Sequence, residues 1–144
     1  MILYLDTSAL IKLYVNEPGA KVVRAAVAKA KLIHAHWIAY PEMRAALARL
    51  HRMGRQAADA YKQHKREFES DWKAVRAIMP DERILRRAGE FTERFGLRGY
   101  DSVHLASAES LLAGHGKNFL YFASLDRTLN EAAAELGLRL LTAD

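Results

Sequence analysis

Two textures alternate along this chain: short, nearly unbroken apolar runs, and longer stretches in which apolar residues return at helical spacing. The run Ile2-Leu3-Tyr4-Leu5 predicts a strand. It stops at Asp6-Thr7-Ser8, three residue types that favour a helix N-cap. Ala9 to Tyr14 predicts a short helix. Pro18 suits the first turn of a second helix, continued by Val22, Val23, Ala26, Val27 and Ala30. Lys31 to His36 predicts a second strand. Pro41 opens a helix whose apolar face is Met43, Ala46, Leu47, Leu50 and Met53, closed by Gly54. Residues 56–78 predict one long, charged helix through Tyr61, Phe68 and Trp72. About Asp81 to Phe95 predicts another, ending at Gly96, and Asp101 starts a helix with Val103, Ala106, Leu111 and Leu112 as apolar positions. Phe119 to Ala123 is the clearest strand. It leads through Ser124-Leu125-Asp126 to a helix ending at Gly137, and Leu138 to Leu141 is a final short strand.

Strands that alternate with helices, joined by connections too long for hairpins, predict βα crossovers and an α/β fold with a parallel sheet covered on both faces. Ligands of such sheets bind beyond the carboxyl ends of the strands. The 144 residues, 51% hydrophobic, predict one domain over residues 1–144, with a helical insertion at about 55–96.

Composition narrows the chemistry. The chain has no cysteine, which excludes disulfides and thiolate metal sites. Its opening apolar run is too short for a membrane span and lacks the basic flank of a signal peptide, so a cytoplasmic protein with no membrane role is expected. Lys and Arg outnumber Asp and Glu by 22 to 17. Between His51 and Arg98 the count is 12 against 8, so most of the excess sits mid-chain. Such a balance favours polyanionic partners.

The acids carry the candidate chemistry. Asp6 closes the first predicted strand, Glu42 lies in the first turn after the second, and Asp126 follows the Phe119–Ala123 strand. Asp101 begins a helix after the turn Leu97-Arg98-Gly99-Tyr100. Each alone reads better as an ordinary helix cap or, for Glu42, as a partner of the helix dipole. Gathered at one sheet edge, they would repel one another unless a cation lay among them. An oxygen-only ligand set selects Mg²⁺ or Mn²⁺ over zinc, and such an ion activates water and neutralises charge on a phosphodiester. From spacing alone this is one reading among several.

Other residues invite roles. Arg98 and Arg127, each close in sequence to an acid, are candidates for gripping phosphate; Lys62, Lys65 and Arg66 fit a solvated helix face better. His34 and His36 share one side of a strand and could in principle pair on zinc, but packing near the sheet end is the plainer reading. His104 follows Asp101 by one helical turn and suits a structural role. Trp37 and Trp72 could stack on bases, although burial against a helix is favoured.

The same residues carry a resemblance. Tyr4-Leu5-Asp6-Thr7-Ser8-Ala9-Leu10-Ile11-Lys12-Leu13-Tyr14 resembles the opening motif of PIN-domain ribonucleases, and Tyr40-Pro41-Glu42-Met43-Arg44-Ala45-Ala46-Leu47 their second acidic motif. Arg98-Gly99-Tyr100-Asp101-Ser102-Val103-His104-Leu105-Ala106-Ser107-Ala108 is similar to the third, and Ala123-Ser124-Leu125-Asp126-Arg127-Thr128-Leu129 to the fourth. Size and motif wording look most like the VapC-type toxins of toxin–antitoxin pairs. The resemblance implies a Rossmann-like α/β/α sandwich with a central parallel sheet and Mg²⁺- or Mn²⁺-dependent RNA cleavage by metal-activated water. It places the catalytic and metal-binding acids at Asp6, Glu42, Asp101 and Asp126, with supporting hydroxyls at Thr7 and Ser124. It also implies a homodimer and a cognate VapB-type antitoxin. Two rivals are a PIN-like DNA or structure-specific nuclease and a catalytically inactive RNA-binding scaffold. An aspartyl-phosphate phosphatase would want Asp-x-Asp after the first strand, where this chain has Ser8.

Overall fold

The chain is described by a computed structural model over residues 1–141. Strand β1 (Ile2–Leu5) is apolar on both faces because both are covered. Leu3 and Leu5 point into one core and Tyr4 into the other, as the pleat requires. Asp6 caps helix α1 (Thr7–Leu10), which tightens into a 3₁₀ turn over Ile11–Leu13. Helix α2 (Ala20–Lys29) follows, then β2 (Leu32–His36), α3 (Ala39–Arg52) and α4 (Ala58–Trp72). A short strand β3 (Arg76–Ile78) leads to α5 (Glu82–Phe95), α6 (Gly99–Ser110) and α7 (Leu112–His115). The chain continues with β4 (Leu120–Ala123), α8 (Arg127–Glu135) and β5 (Arg139–Leu140).

Among the described residues the five strands form one sheet in the order β3-β2-β1-β4-β5, with every pairing parallel. One layer of helices packs Val23, Met43, Leu47, Phe68 and Trp72 against Leu3 and Leu5. The opposite layer packs Ile84, Phe91, Leu105 and Leu129 against Tyr4, Leu120 and Phe122. This is the expected α/β/α sandwich. The chain steps outward from β1 to β2 and β3, then crosses back to lay β4 on the other side of β1. The direction of winding therefore reverses between β1 and β4, and a ligand crevice opens beyond their carboxyl ends.

One expected element differs. The helix predicted over residues 56–78 ends at Trp72, and Arg76, Ala77 and Ile78 instead pair in register with His34, Ala35 and His36. Ala77 packs into one core and Ile78 into the other, the alternation of a strand. Val75 and Ile78 also fit helical spacing, and neither Gly nor Pro separates them from α4, so the local pattern carries both readings. The open edge of β2 decides between them. The segment expected to be a helical insertion therefore contributes one of the sheet's two edge strands among the described residues.

Smaller differences lie at helix starts. Helix α2 begins after Gly19, whose φ of 91° provides the turn, rather than at Pro18. A Cβ on Gly19 would meet Leu125 Cδ1 at 2.8 Å, a contact the Leu125 side chain can relieve, so the left-handed φ is what calls for glycine here. Pro41 sits inside the first turn of α3, where no backbone donor is needed. Helix α6 begins at Gly99, which puts Asp101 in its first turn. Among the described residues no helix is long and apolar enough to cross a membrane.

Candidate active site

Four chain segments meet beyond the carboxyl ends of β1 and β4. The peptide after β1 is fixed by the Asp6 N–H donating to Ala123 O at 3.1 Å, which ties it to the end of β4. Asp6 is 3% exposed. Its Oδ1 accepts from the Ala9 N–H at 2.9 Å, as an N-cap does, and from the Ser8 hydroxyl at 2.7 Å. Burial pushes the Asp6 carboxyl above the usual carboxylate range, and the nearby His104 ring and hydrogen bonds from Ser124, Ser8 and the Ala9 N–H only partly offset this.

The loop after β4 is stitched to the same place. Ser8 Oγ accepts from the Leu125 N–H at 2.9 Å and lies 3.4 Å from Ser124 Oγ. Ser124 Oγ in turn accepts from the Asp126 N–H at 3.0 Å. Asp126 caps α8 by accepting the Leu129 N–H on Oδ1 at 2.8 Å. Hydroxyl groups thus bridge the two acids that flank the crevice.

Glu42 arrives on the first turn of α3. Its Oε1 accepts from the Thr7 hydroxyl at 2.7 Å and from His104 Nε2 at 2.8 Å. Burial would raise the Glu42 carboxyl, but the bonds from His104 and Thr7 and the charge of Arg98 outweigh it and hold it below the usual range. Helix α6 presents Asp101 and His104 one turn apart. Arg98, just before that helix, donates to Asp101 Oδ2 at 3.1 Å. Its guanidinium is held charged first by Asp101, and also by Asp126 and Glu42.

The predicted residues therefore sort clearly. At the β1 and β4 ends, Asp6, Ser124 and Asp126 are linked through Ser8; Thr7 and Glu42 form a second group with His104; and Asp101 is held by Arg98. Arg127 does not join: its side chain is 93% exposed and pairs with Glu131 of its own helix at 3.0 Å. Lys65 and Arg66 line a groove of about 280 Å³ with Arg44 and Lys73, along α3 and α4. Trp72 is buried, whereas Trp37 is 39% exposed and edge-on to it at 5.4 Å. His34 packs on His115, with ring centroids 5.5 Å apart. Three contributors escape the sequence reading. Ser8 reads in the sequence as an N-cap type and a motif member but not as a partner of Asp6, although a hydroxyl two residues after a capping acid can bond it locally. Tyr4 reads as a strand and motif residue with no sign of a polar role, and the polar tie of His36, whose Nδ1 accepts from the Ile38 N–H at 2.9 Å, gives no signal.

The side chains present supply the oxygen donors that a hard divalent cation takes. All four acids offer oxygen donors, and one oxygen of each accepts from the protein, which orients the carboxylate. Among the described residues the second oxygens of Glu42, Asp101 and Asp126 have no protein donor, and Asp6 has no Lys or Arg partner to offset its burial. In this geometry no three of these side chains, among the described residues, stand close enough to share one ion. Arg98 is the positive charge placed among them.

Comparison with known proteins decides the family. The PIN domain profile matches residues 3–134 of this chain. The chain belongs to the PIN-domain family. Within it, Ribonuclease VapC45 of Mycobacterium tuberculosis (strain CDC 1551 / Oshkosh) is 32% identical over 142 residues, covering 99% of this PIN domain chain and 96% of the relative. That likeness makes it a VapC-type PIN domain. Solved structures agree in fold. FitAcB from Neisseria gonorrhoeae superposes with a TM-score of 0.68 at 19% identity, over 99% of this chain and 97% of that one. A toxin–antitoxin complex from Klebsiella pneumoniae gives a TM-score of 0.66 at 18% identity, over 99% of both chains.

Proposed function

We propose that this PIN domain is a divalent-metal-dependent endoribonuclease, the toxin of a VapBC-type pair. The observation that carries the reading is Asp6: a buried carboxylate at the β1/β4 switch, hydrogen-bonded by Ser8 and Ala9 yet without a Lys or Arg partner among the described residues to offset its burial. A protein keeps such a charge at a cost unless a ligand uses it. The ribonuclease name of a relative covering nearly the whole chain supports RNA as the substrate.

Asp6, Glu42, Asp101 and Asp126 would hold Mg²⁺ or Mn²⁺. Bound there, the ion would supply Lewis-acid polarisation of a phosphodiester and a lowered pKa for the attacking water. The chain's own residues do the rest. Ser8, Thr7, His104 and Ser124 fix the directions of the carboxylates and of the Asp126 backbone. Glu42, held ionised, is suited to orient a water proton. Arg98 is exposed beside the acids and suited to exchange its Asp101 contact for a phosphate oxygen. In-line attack by water gives 5′-phosphate and 3′-hydroxyl ends. The cleft would also be the surface that a cognate antitoxin covers, and the active assembly would be a homodimer.

The test is cleavage of single-stranded RNA with and without chelator, beside Asp6→Asn and Asp101→Asn, with DNA of the same sequence in parallel. Loss of an acid should cost more than the ~10–100-fold typical of an outer-sphere partner. Undiminished cleavage by both variants, or cleavage of DNA alone, refutes the assignment.

A further inference from the structure

Behind the acids, a buried polar chain joins three elements. The Tyr4 hydroxyl on β1 lies 2.9 Å from His104 Nδ1 on α6, and His104 Nε2 lies 2.8 Å from Glu42 Oε1 on α3. Tyr4 is fully buried, stacked on Phe122 at a centroid distance of 5.8 Å and 14°, so its ring has one place to be. His104 is 2% exposed and meets the Tyr4 ring edge-on.

Donor and acceptor chemistry gives this chain a direction. An ionised carboxylate only accepts, so the imidazole nitrogen 2.8 Å from Glu42 Oε1 carries a proton. In the neutral ring the other nitrogen then presents a lone pair, and the Tyr4 O–H is the group facing it. The opposite tautomer would set a lone pair against the Glu42 carboxylate.

We propose that Tyr4 and His104 are positioning residues of the acid site: the Tyr4 O–H fixes His104 as its Nε2–H tautomer, and that N–H, with the Thr7 hydroxyl, commits Glu42 Oε1 to the protein and leaves Oε2 for a cation. The proposal rests on the metal-dependent reading of the site and deepens it. It explains why a tyrosine stands two residues before Asp6 on the same strand. Through Tyr4 and His104 a flexible glutamate on α3 is referenced to β1, the strand that places Asp6. Outer partners of this kind orient ligands and tune their basicity.

Two measurements decide it. The first is the ¹⁵N spectrum of the His104 ring in the intact protein with chelator present. The expected signals are a protonated Nε2 and an unprotonated Nδ1, and Tyr4→Phe should convert this single form into a tautomer mixture. A proton on Nδ1 alone, or on both nitrogens, overturns the proposal. The second is Mn²⁺ affinity by electron paramagnetic resonance. His104→Ala should weaken it about 10–100-fold. Tyr4→Phe, which keeps the stacked ring, should weaken it several-fold. His104→Gln, whose amide N–H reproduces the Nε2 donor, should recover affinity, and adding Tyr4→Phe to it should change nothing further. In cleavage, kcat should fall while KM for RNA stays. Wild-type affinity in both Tyr4→Phe and His104→Ala overturns the proposal. A wild type that binds Mn²⁺ yet cuts no RNA sinks the ribonuclease reading alone, because the tautomer and the affinities are still decided.

Discussion

Burial raises the Asp6 carboxyl while hydrogen bonds lower that of Glu42, although both face one crevice. Their contributions to stability therefore run in opposite directions with pH. The folded state holds a proton on Asp6 more tightly than the unfolded chain does, so Asp6 contributes stability at acid pH that is lost as pH rises through its raised pKa. Glu42 contributes stability above its unfolded pKa, lost as pH falls through its lowered one. At neutral pH Asp6 is thus a net strain on the fold. Asp6→Asn keeps an oxygen for Ser8 and Ala9, and with chelator present it should melt higher than the wild type at pH 7. Added Mg²⁺ should raise the wild-type Tm and leave the variant's unchanged; a variant that melts lower in chelator contradicts this account of Asp6. The acids were legible in the sequence because each stands at a strand end or in a first helical turn. Tyr4 and His104 were not legible as partners. A tyrosine within an apolar strand reads as core, and their contact spans 100 residues.

Elements were readable wherever one period dominated. Strands β1, β2 and β4 and helices α3, α5 and α8 lie close to their expected positions because the apolar spacing, an N-cap or a closing glycine agree there. Strand β3 was hidden because residues 74–79 satisfy both periods, and only the free edge of β2 selects one. Helix α5 covers the same side of the sheet as α6, and its Phe91 is fully buried in that core beside Phe95 at 5.5 Å. Phe91→Ala should cost about 3–5 kcal/mol in urea denaturation. Because Phe91 touches none of the acid-bearing turns in the hydrogen-bond web, cleavage per folded molecule should hold. A loss under about 1 kcal/mol would mean that α5 is not a structural wall of this core.

At the scale of the molecule, topology does what no local segment can. Reversal of winding between β1 and β4 brings Asp6 and Asp126 side by side although 120 residues separate them. Crossovers then deliver Glu42 and Asp101 to the same edge. The fold class and the acid-bearing turns could be anticipated from the alternation of elements, whereas the strand order and the roles of Arg98 and Arg127 required coordinates. Arg98 lies among the acids, and Arg127 is engaged with Glu131. Arg98→Ala should therefore weaken RNA binding and lower the slope of log affinity against log salt by about one. Arg127→Ala should alter that slope less, and equal effects would remove the distinction drawn between them.

The claim on which everything else depends is that Asp6, Glu42, Asp101 and Asp126 act together as one divalent-cation site. Crystals of the protein grown with Mn²⁺, read by anomalous scattering at the manganese edge, test it most directly. The account predicts an anomalous peak beyond the ends of β1 and β4, with oxygen ligands from Asp6 and Glu42 and with Asp101 released from Arg98. A peak elsewhere, or none at a saturating concentration of Mn²⁺, would contradict it.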